Sequence, residues 1–127
     1  MIIGFGTYII ETARIDELVK RRGEDALERV FSPAELAKSK TRGKAISQFR
    51  AGRWAVKEAF YKALPLFTQA QATWKSIEVL SEMGTGKPKI YILSSELKEF
   101  FQLEHITSFQ VSISHERSIC TAIVILE

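Results

Sequence analysis

Glu58 and Lys62 stand four residues apart in the run Gln48-Phe49-Arg50-Ala51-Gly52-Arg53-Trp54-Ala55-Val56-Lys57-Glu58-Ala59-Phe60-Tyr61-Lys62-Ala63. On a helix their heads share one face. Two readings are open. One is an exposed ion pair worth about 0.2–0.5 kcal/mol. The other is a carboxylate for a hard metal ion beside a cation for phosphate. A second pattern lies in Phe109-Gln110-Val111-Ser112-Ile113-Ser114-His115. As a strand it sends Phe109, Val111 and Ile113 to one face and Gln110, Ser112 and Ser114 to the other. His115 keeps the apolar phase and reads either as a packed, hydrogen-bonded histidine or as a catalytic one. Two hydroxyls on one face before a turn also suit phosphate oxygens. A third pattern opens the chain: Gly4-Phe5-Gly6-Thr7-Tyr8-Ile9-Ile10-Glu11. Two glycines in an apolar strand predict a close backbone approach or a bend.

Two phosphate motifs fail. Gly4-Phe5-Gly6 lacks the third glycine of a dinucleotide fingerprint, with Ile9 in its place. Gly86-Lys87 resembles the end of a Walker A loop, but Ser81 and Pro88 occupy required positions.

The elements that position these residues follow from periodicity. Residues 2–9 read as a buried strand and 13–22 as a short amphipathic helix with Ile15, Leu18 and Val19 on one side. A second short helix is expected over 24–30. Ser32-Pro33-Ala34-Glu35 is a capping box with Pro at the first helical position. Gly43 interrupts the pattern before a long helix over 44–64, which Pro65 closes. Strands are expected over 75–80 and 89–93, joined at Glu82–Pro88 as a hairpin. Ser94 or Ser95 caps a helix reaching Leu103. Strands over 108–115 and 119–126 form a last hairpin through Glu116-Arg117-Ser118. The order is β, several α, ββ, α, ββ, an α+β fold with an antiparallel sheet packed against a long central helix and short helices.

The chain has 127 residues, the size of a single domain with its own core. No basic segment followed by an apolar one opens it, so no signal peptide is expected. No apolar run approaches the ~20 residues of a membrane span. Cys120, the one cysteine, lies in an apolar run and reads as a core residue. A cytoplasmic protein fits these features. The net charge of +3 is uneven: residues 1–62 hold 13 Lys/Arg and 8 Asp/Glu, residues 63–127 hold 5 and 7. Lys38, Lys40, Arg42, Lys44, Arg50, Arg53 and Lys57 form a block without an acid. It reads as a solvated face, or as a collector of phosphates or an acidic partner. RNA is not expected, because no nucleic-acid motif accompanies it.

Ala51-Gly52 followed by Arg53-Trp54-Ala55-Val56-Lys57-Glu58-Ala59-Phe60-Tyr61-Lys62-Ala63 resembles the signature of holo-acyl-carrier-protein synthases, the single-repeat 4′-phosphopantetheinyl transferases. Gly4–Glu11 with Arg14-Ile15, Phe31–Glu35, Gly86-Lys87-Pro88, Val111–His115 and Ala122–Glu127 resemble further family segments in the same order. The resemblance implies transfer of the phosphopantetheine arm of coenzyme A to a serine of acyl carrier protein, with release of adenosine 3′,5′-bisphosphate. It implies Mg²⁺ between the coenzyme A pyrophosphate and enzyme carboxylates, and a homotrimer with active sites between subunits. Neither nucleic acid nor membrane is an implied partner. On this reading Glu58 and Lys62 are catalytic, and Glu58 also holds the metal. Lys87, Pro88, Ser112, Ser114 and His115 line the nucleotide end, with Lys44 and Arg53 as lesser candidates. Arg14, Leu18, Arg21 and Arg22 resemble a docking face for the acidic carrier.

The chain departs from the family pattern twice. Tyr8 stands where the family has an aspartate that binds magnesium, and a phenol is a poor ligand for a hard dication. Pro65-Leu66-Phe67 replaces the usual glycines after the long helix. The expectation is an active transferase, or one weakened by Tyr8. The alternatives are a catalytically lapsed relative that binds coenzyme A or carrier protein, and a non-enzymatic basic binding module.

Overall fold

A computed structural model describes all residues, Met1–Glu127. The chain opens with strand β1 (Gly4–Glu11) and helix α1 (Ala13–Arg22). Gly23, at φ 82°, ends α1, and its N–H donates back to the Val19 carbonyl. The short helix expected over 24–30 is a 3₁₀ helix, Glu24–Arg29. Helix α2 (Pro33–Ser39) starts at the expected capping box: Glu35 N–H donates to Ser32 Oγ, and Ser32 N–H donates to Glu35 Oε1. A second 3₁₀ turn, Lys40–Ala45, is kinked at Gly43 (φ 54°). It delivers the chain into α3 (Ile46–Ala63), which Pro65 closes.

A short helix α4 (Leu66–Gln69) follows, then the hairpin β2 (Ile77–Ser81) and β3 (Pro88–Ile92). Helix α5 (Ser95–Leu103) is capped by Ser94. Strands β4 (Phe109–Glu116) and β5 (Ile119–Leu126) close the chain. The strands make two antiparallel sheets, β1-β5-β4 and β2-β3. The α+β architecture holds, with the antiparallel pairing divided between them.

Helix α3 lies on one face of the three-stranded sheet. Ala51, Ala55, Val56, Ala59, Phe60 and Ala63 meet Ile10 of β1 and Cys120, Ala122, Val124 and Leu126 of β5 in one core. The two early glycines explain how closely strand and helix approach. A Cβ on Gly4 would lie 2.1 Å from the Ala63 carbonyl oxygen, and one on Gly6 would lie 2.0 Å from that of Ala59. No side chain fits at either position, so β1 rests directly on the helix backbone. Tyr8 is the next residue on this face.

Candidate functional site

Alternation along β1 turns Tyr8 toward α3, and pairing sets it opposite Ala122. Its ring meets Lys62, whose Nζ lies 5.4 Å from the ring centroid, a cation–π contact. Glu58 makes no ion pair with Lys62. It accepts instead from the indole N–H of Trp74, across 16 residues of sequence. The two residues thus share a helix face but have different partners, and the ion-pair reading fails.

Glu58 sits half-buried on the wall of a cavity of about 360 Å³. Lys57, Phe60, Tyr61, Ala72, Thr73 and Trp74 complete it. Carboxylate oxygen Oε1 holds the Trp74 bond, and Oε2 has no hydrogen-bond partner. No group of three or more metal-ligating side chains exists in the chain. Glu58 is the one carboxylate on this wall, so a magnesium ion here would have one protein ligand and would need substrate phosphate and water for the rest, an arrangement Mg²⁺ accepts. The donor set does not fit an ion held by the protein alone.

The basic block divides: Lys38, Lys40, Arg42 and Lys44 are exposed, whereas its three members on α3 are spent inside the fold. Arg50, Arg53 and Lys57 recur at i, i+3, i+7 and are all buried. Arg50 donates to Ser39 Oγ at 3.0 Å and pairs with Glu24. Arg53 stacks 4.1 Å from the Phe49 ring centroid and donates to Ser81 Oγ at 2.8 Å. Burial, reinforced by the charge of Arg42, lowers its pKa to about 10. Arg53 is thus tied into the core rather than open to a nucleotide. Lys57 pairs with Glu35 at 2.8 Å and donates to the carbonyls of Trp74 and Ile77, each at 2.8 Å. Burial lowers the Lys57 pKa, and the Glu35 carboxylate opposes that shift. Glu35 Oε2 also accepts from Val79 N–H at 2.8 Å. This buried network escaped the sequence reading, although the i, i+3, i+7 spacing of three cations was visible in it.

The other candidates separate into clusters. Ser112 and Ser114 lie on the sheet face turned away from α3, opposite Ile123 and Thr121 of β5. His115 lies on the α3 side, where its Nε2 would be 3.8 Å from a Cβ on Gly52. Ser114 and His115 nevertheless both border a hollow of about 430 Å³ at the β4–β5 turn. Lys87 is exposed and Pro88 half-buried where the β2–β3 turn enters β3. Lys44 is exposed in the 3₁₀ turn before α3. Arg14, Leu18 and Arg21 come together around a cleft of about 110 Å³ with Trp54 at its wall, and Arg22 is exposed outside it. Within one copy, the Ser112–Ser114 face and the Glu58 cavity do not meet.

Trp74 is the site residue that sequence reasoning passed over. A lone aromatic in the non-repeating segment 70–76 has no periodic signal, and its bond to Glu58 exists only in three dimensions.

The comparisons agree with one another. A family model described as the 4′-phosphopantetheinyl transferase superfamily matches residues 4–124. A holo-[acyl-carrier-protein] synthase of Herminiimonas arsenicoxydans is 39% identical, the alignment covering 100% of this chain and 98% of the relative. One of Desulfovibrio desulfuricans is also 39% identical, at the same coverages. A crystal structure of the Neisseria meningitidis synthase superposes with TM-score 0.83 at 29% identity, covering 100% of this chain and 99% of that one. The Helicobacter pylori synthase in complex with coenzyme A gives TM-score 0.80 at 31% identity, covering 97% and 99%.

Proposed function

The chain belongs to the holo-acyl-carrier-protein synthases of the 4′-phosphopantetheinyl transferase superfamily, and from that premise we propose that it moves the 4′-phosphopantetheine arm of coenzyme A to a serine of apo-acyl carrier protein. We read 1–127 as one domain that works in the cytoplasm. The observation that carries this reading is the end-to-end match to relatives bearing that name.

In the reaction the serine oxygen bonds to the phosphorus that carries the pantetheine arm. The pyrophosphate P–O bond breaks, adenosine 3′,5′-bisphosphate leaves, and the serine proton passes to a base. Such chemistry depends on positioning and charge neutralisation more than on covalent help. Glu58 Oε2, on a rigid helix, is the carboxylate oxygen that would hold the metal or take the proton. Bound there, magnesium would neutralise charge on the pyrophosphate oxygens. Lys62, resting on the Tyr8 ring, is a mobile point charge for phosphate oxygens. The acidic carrier docks on Arg14, Leu18 and Arg21, where arginine supplies steering and Leu18 an apolar anchor.

We assign the nucleotide end to a second copy. Phe5 (72% exposed), Ile9 (63%), Ile123 (49%) and Ile119 (40%) leave the open face of the three-stranded sheet apolar. Ser112 and Ser114 stand on that same face. Packing copies against this face, as a homotrimer, covers the apolar residues and lends the serines to a neighbour's site. The Tyr8–Lys62 contact favours a second reading, a lapsed relative that binds coenzyme A without transfer, because a phenol carrying a cation on its ring stands where a ligand carboxylate belongs.

An intact-mass assay decides between them. The protein is mixed with apo-acyl carrier protein, coenzyme A and Mg²⁺. A gain of one phosphopantetheine arm, dependent on protein and Mg²⁺, is the expected result. No gain with coenzyme A still bound is the lapsed relative. Neither gain nor binding rejects both readings.

A further inference from the structure

Trp74 is bound to two consecutive residues of α3 by two different groups. Its main-chain carbonyl accepts from Lys57 Nζ at 2.8 Å, and its indole N–H donates to Glu58 Oε1. Its ring packs on Trp54, with centroids 5.5 Å apart. Trp54 precedes Glu58 by one helical turn and in turn meets Phe31 edge-on at 6.2 Å. The indole therefore lies along the stripe that carries Glu58.

The segment holding Trp74 is itself fixed. Trp74–Ser76 is a 3₁₀ turn closed by Thr73 and Ser76, with Thr73 N–H donating to Ser76 Oγ at 2.8 Å. Lys57 holds the first residue of this turn through the Trp74 carbonyl and the first residue of β2, just after it, through the Ile77 carbonyl. Lys57 is anchored by Glu35, which belongs to the capping box of α2 and also holds β2 through Val79 N–H. A chain of contacts thus runs from α2 through Lys57 to Trp74 and ends on a carboxylate at a cavity wall.

We infer that Trp74 is a positioning residue: its indole N–H fixes one oxygen of Glu58 so that the other is presented, in one orientation, to the metal and phosphate of the substrate. The inference rests on the transferase reading. A glutamate side chain has several rotamers, and a single protein carboxylate has no second ligand to correct a misplaced one. Outer hydrogen bonds that orient a metal ligand change metal affinity about 10–100-fold when lost. A bond to an ionised group is among the stronger ones. With Tyr8 in place of a second carboxylate, the cost of a loose Glu58 falls wholly on metal binding.

The test removes the N–H and keeps the ring. W74F retains the main-chain bond to Lys57 and much of the contact with Trp54. A protein with 3-benzothienylalanine in place of Trp74 keeps the full ring shape without the donor. Mn²⁺ is titrated into each protein with coenzyme A present, its binding is read by electron paramagnetic resonance, and Mg²⁺-dependent transfer is measured in parallel. The expected result for both variants is Mn²⁺ affinity weaker by about tenfold or more. The Mg²⁺ concentration for half-maximal transfer rises by a similar factor, while KM for coenzyme A at saturating Mg²⁺ and thermal stability change little.

Mn²⁺ affinity unchanged in either folded variant overturns the inference, as does a loss of stability without a metal effect. If W74F does not fold, the isosteric replacement alone decides. A wild-type chain that neither transfers the arm nor binds Mn²⁺ with coenzyme A overturns the transferase reading and this inference with it. A wild type that does both, beside unaltered variants, overturns only the role of Trp74.

Discussion

Helix α3 carries charge on two faces, and the two faces are treated in opposite ways. On one, Arg50, Arg53 and Lys57 are buried and each has partners within the chain. On the other, Glu58 keeps one free oxygen at a cavity wall, and Lys62 is exposed with only an aromatic ring beside it. Lys57 and Glu58 are adjacent in sequence, yet one is consumed by the fold and the other is left available. Charge in a helix therefore says little about function until its partners are counted. Buried charge must be paired because desolvation is costly, whereas a site must leave groups unpaired for substrate.

Substitutions on the two faces sharpen this contrast. Lys57→Met has the largest expected effect on the fold: it strands Glu35 as a buried, unpaired carboxylate and frees the Trp74–Ser76 turn. A loss of about 3–5 kcal/mol is expected, read by chemical denaturation. Glu58→Ala should leave the denaturation midpoint nearly unchanged and reduce transfer by about a hundredfold or more. If Glu58→Ala unfolds the protein as Lys57→Met does, the division between faces is broken. The smallest effect is expected at the docking cleft. Arg21→Glu should lower kcat/KM for the carrier about tenfold at low salt, leave KM for coenzyme A alone, and narrow the difference as salt rises. A salt-independent loss would remove electrostatic steering as its cause.

Local signals carried much of the fold. The range 13–22 for α1 follows from its apolar spacing, the start of α2 from Ser32 to Glu35, and the range 119–126 for β5 from its apolar run. Gly4 and Gly6 foretold the close approach that β1 makes to α3. What was hidden depends on contacts distant in sequence. Alternation put Ser112 and Ser114 on one strand face, but only the register with β5 and the packing of α3 show that this is the face away from the helix. Helical spacing brought Glu58 and Lys62 together, but it could not foresee that Trp74 and Tyr8 would take them separately. The division into two sheets depends on whether β3 and β4 hydrogen-bond, which neither strand's pattern encodes.

The most direct test of a transferase with one protein carboxylate at its metal is a Mg²⁺ titration followed by the intact mass of the carrier, for the wild type and Tyr8→Asp side by side. Both proteins are predicted to add the phosphopantetheine arm. Tyr8→Asp should reach half-maximal rate at a Mg²⁺ concentration lower by about tenfold, a second carboxylate having been restored to the ion. Transfer by Tyr8→Asp alone would contradict an active wild type and identify a lapsed relative. Identical curves for the two would show that Tyr8 does not stand at the metal.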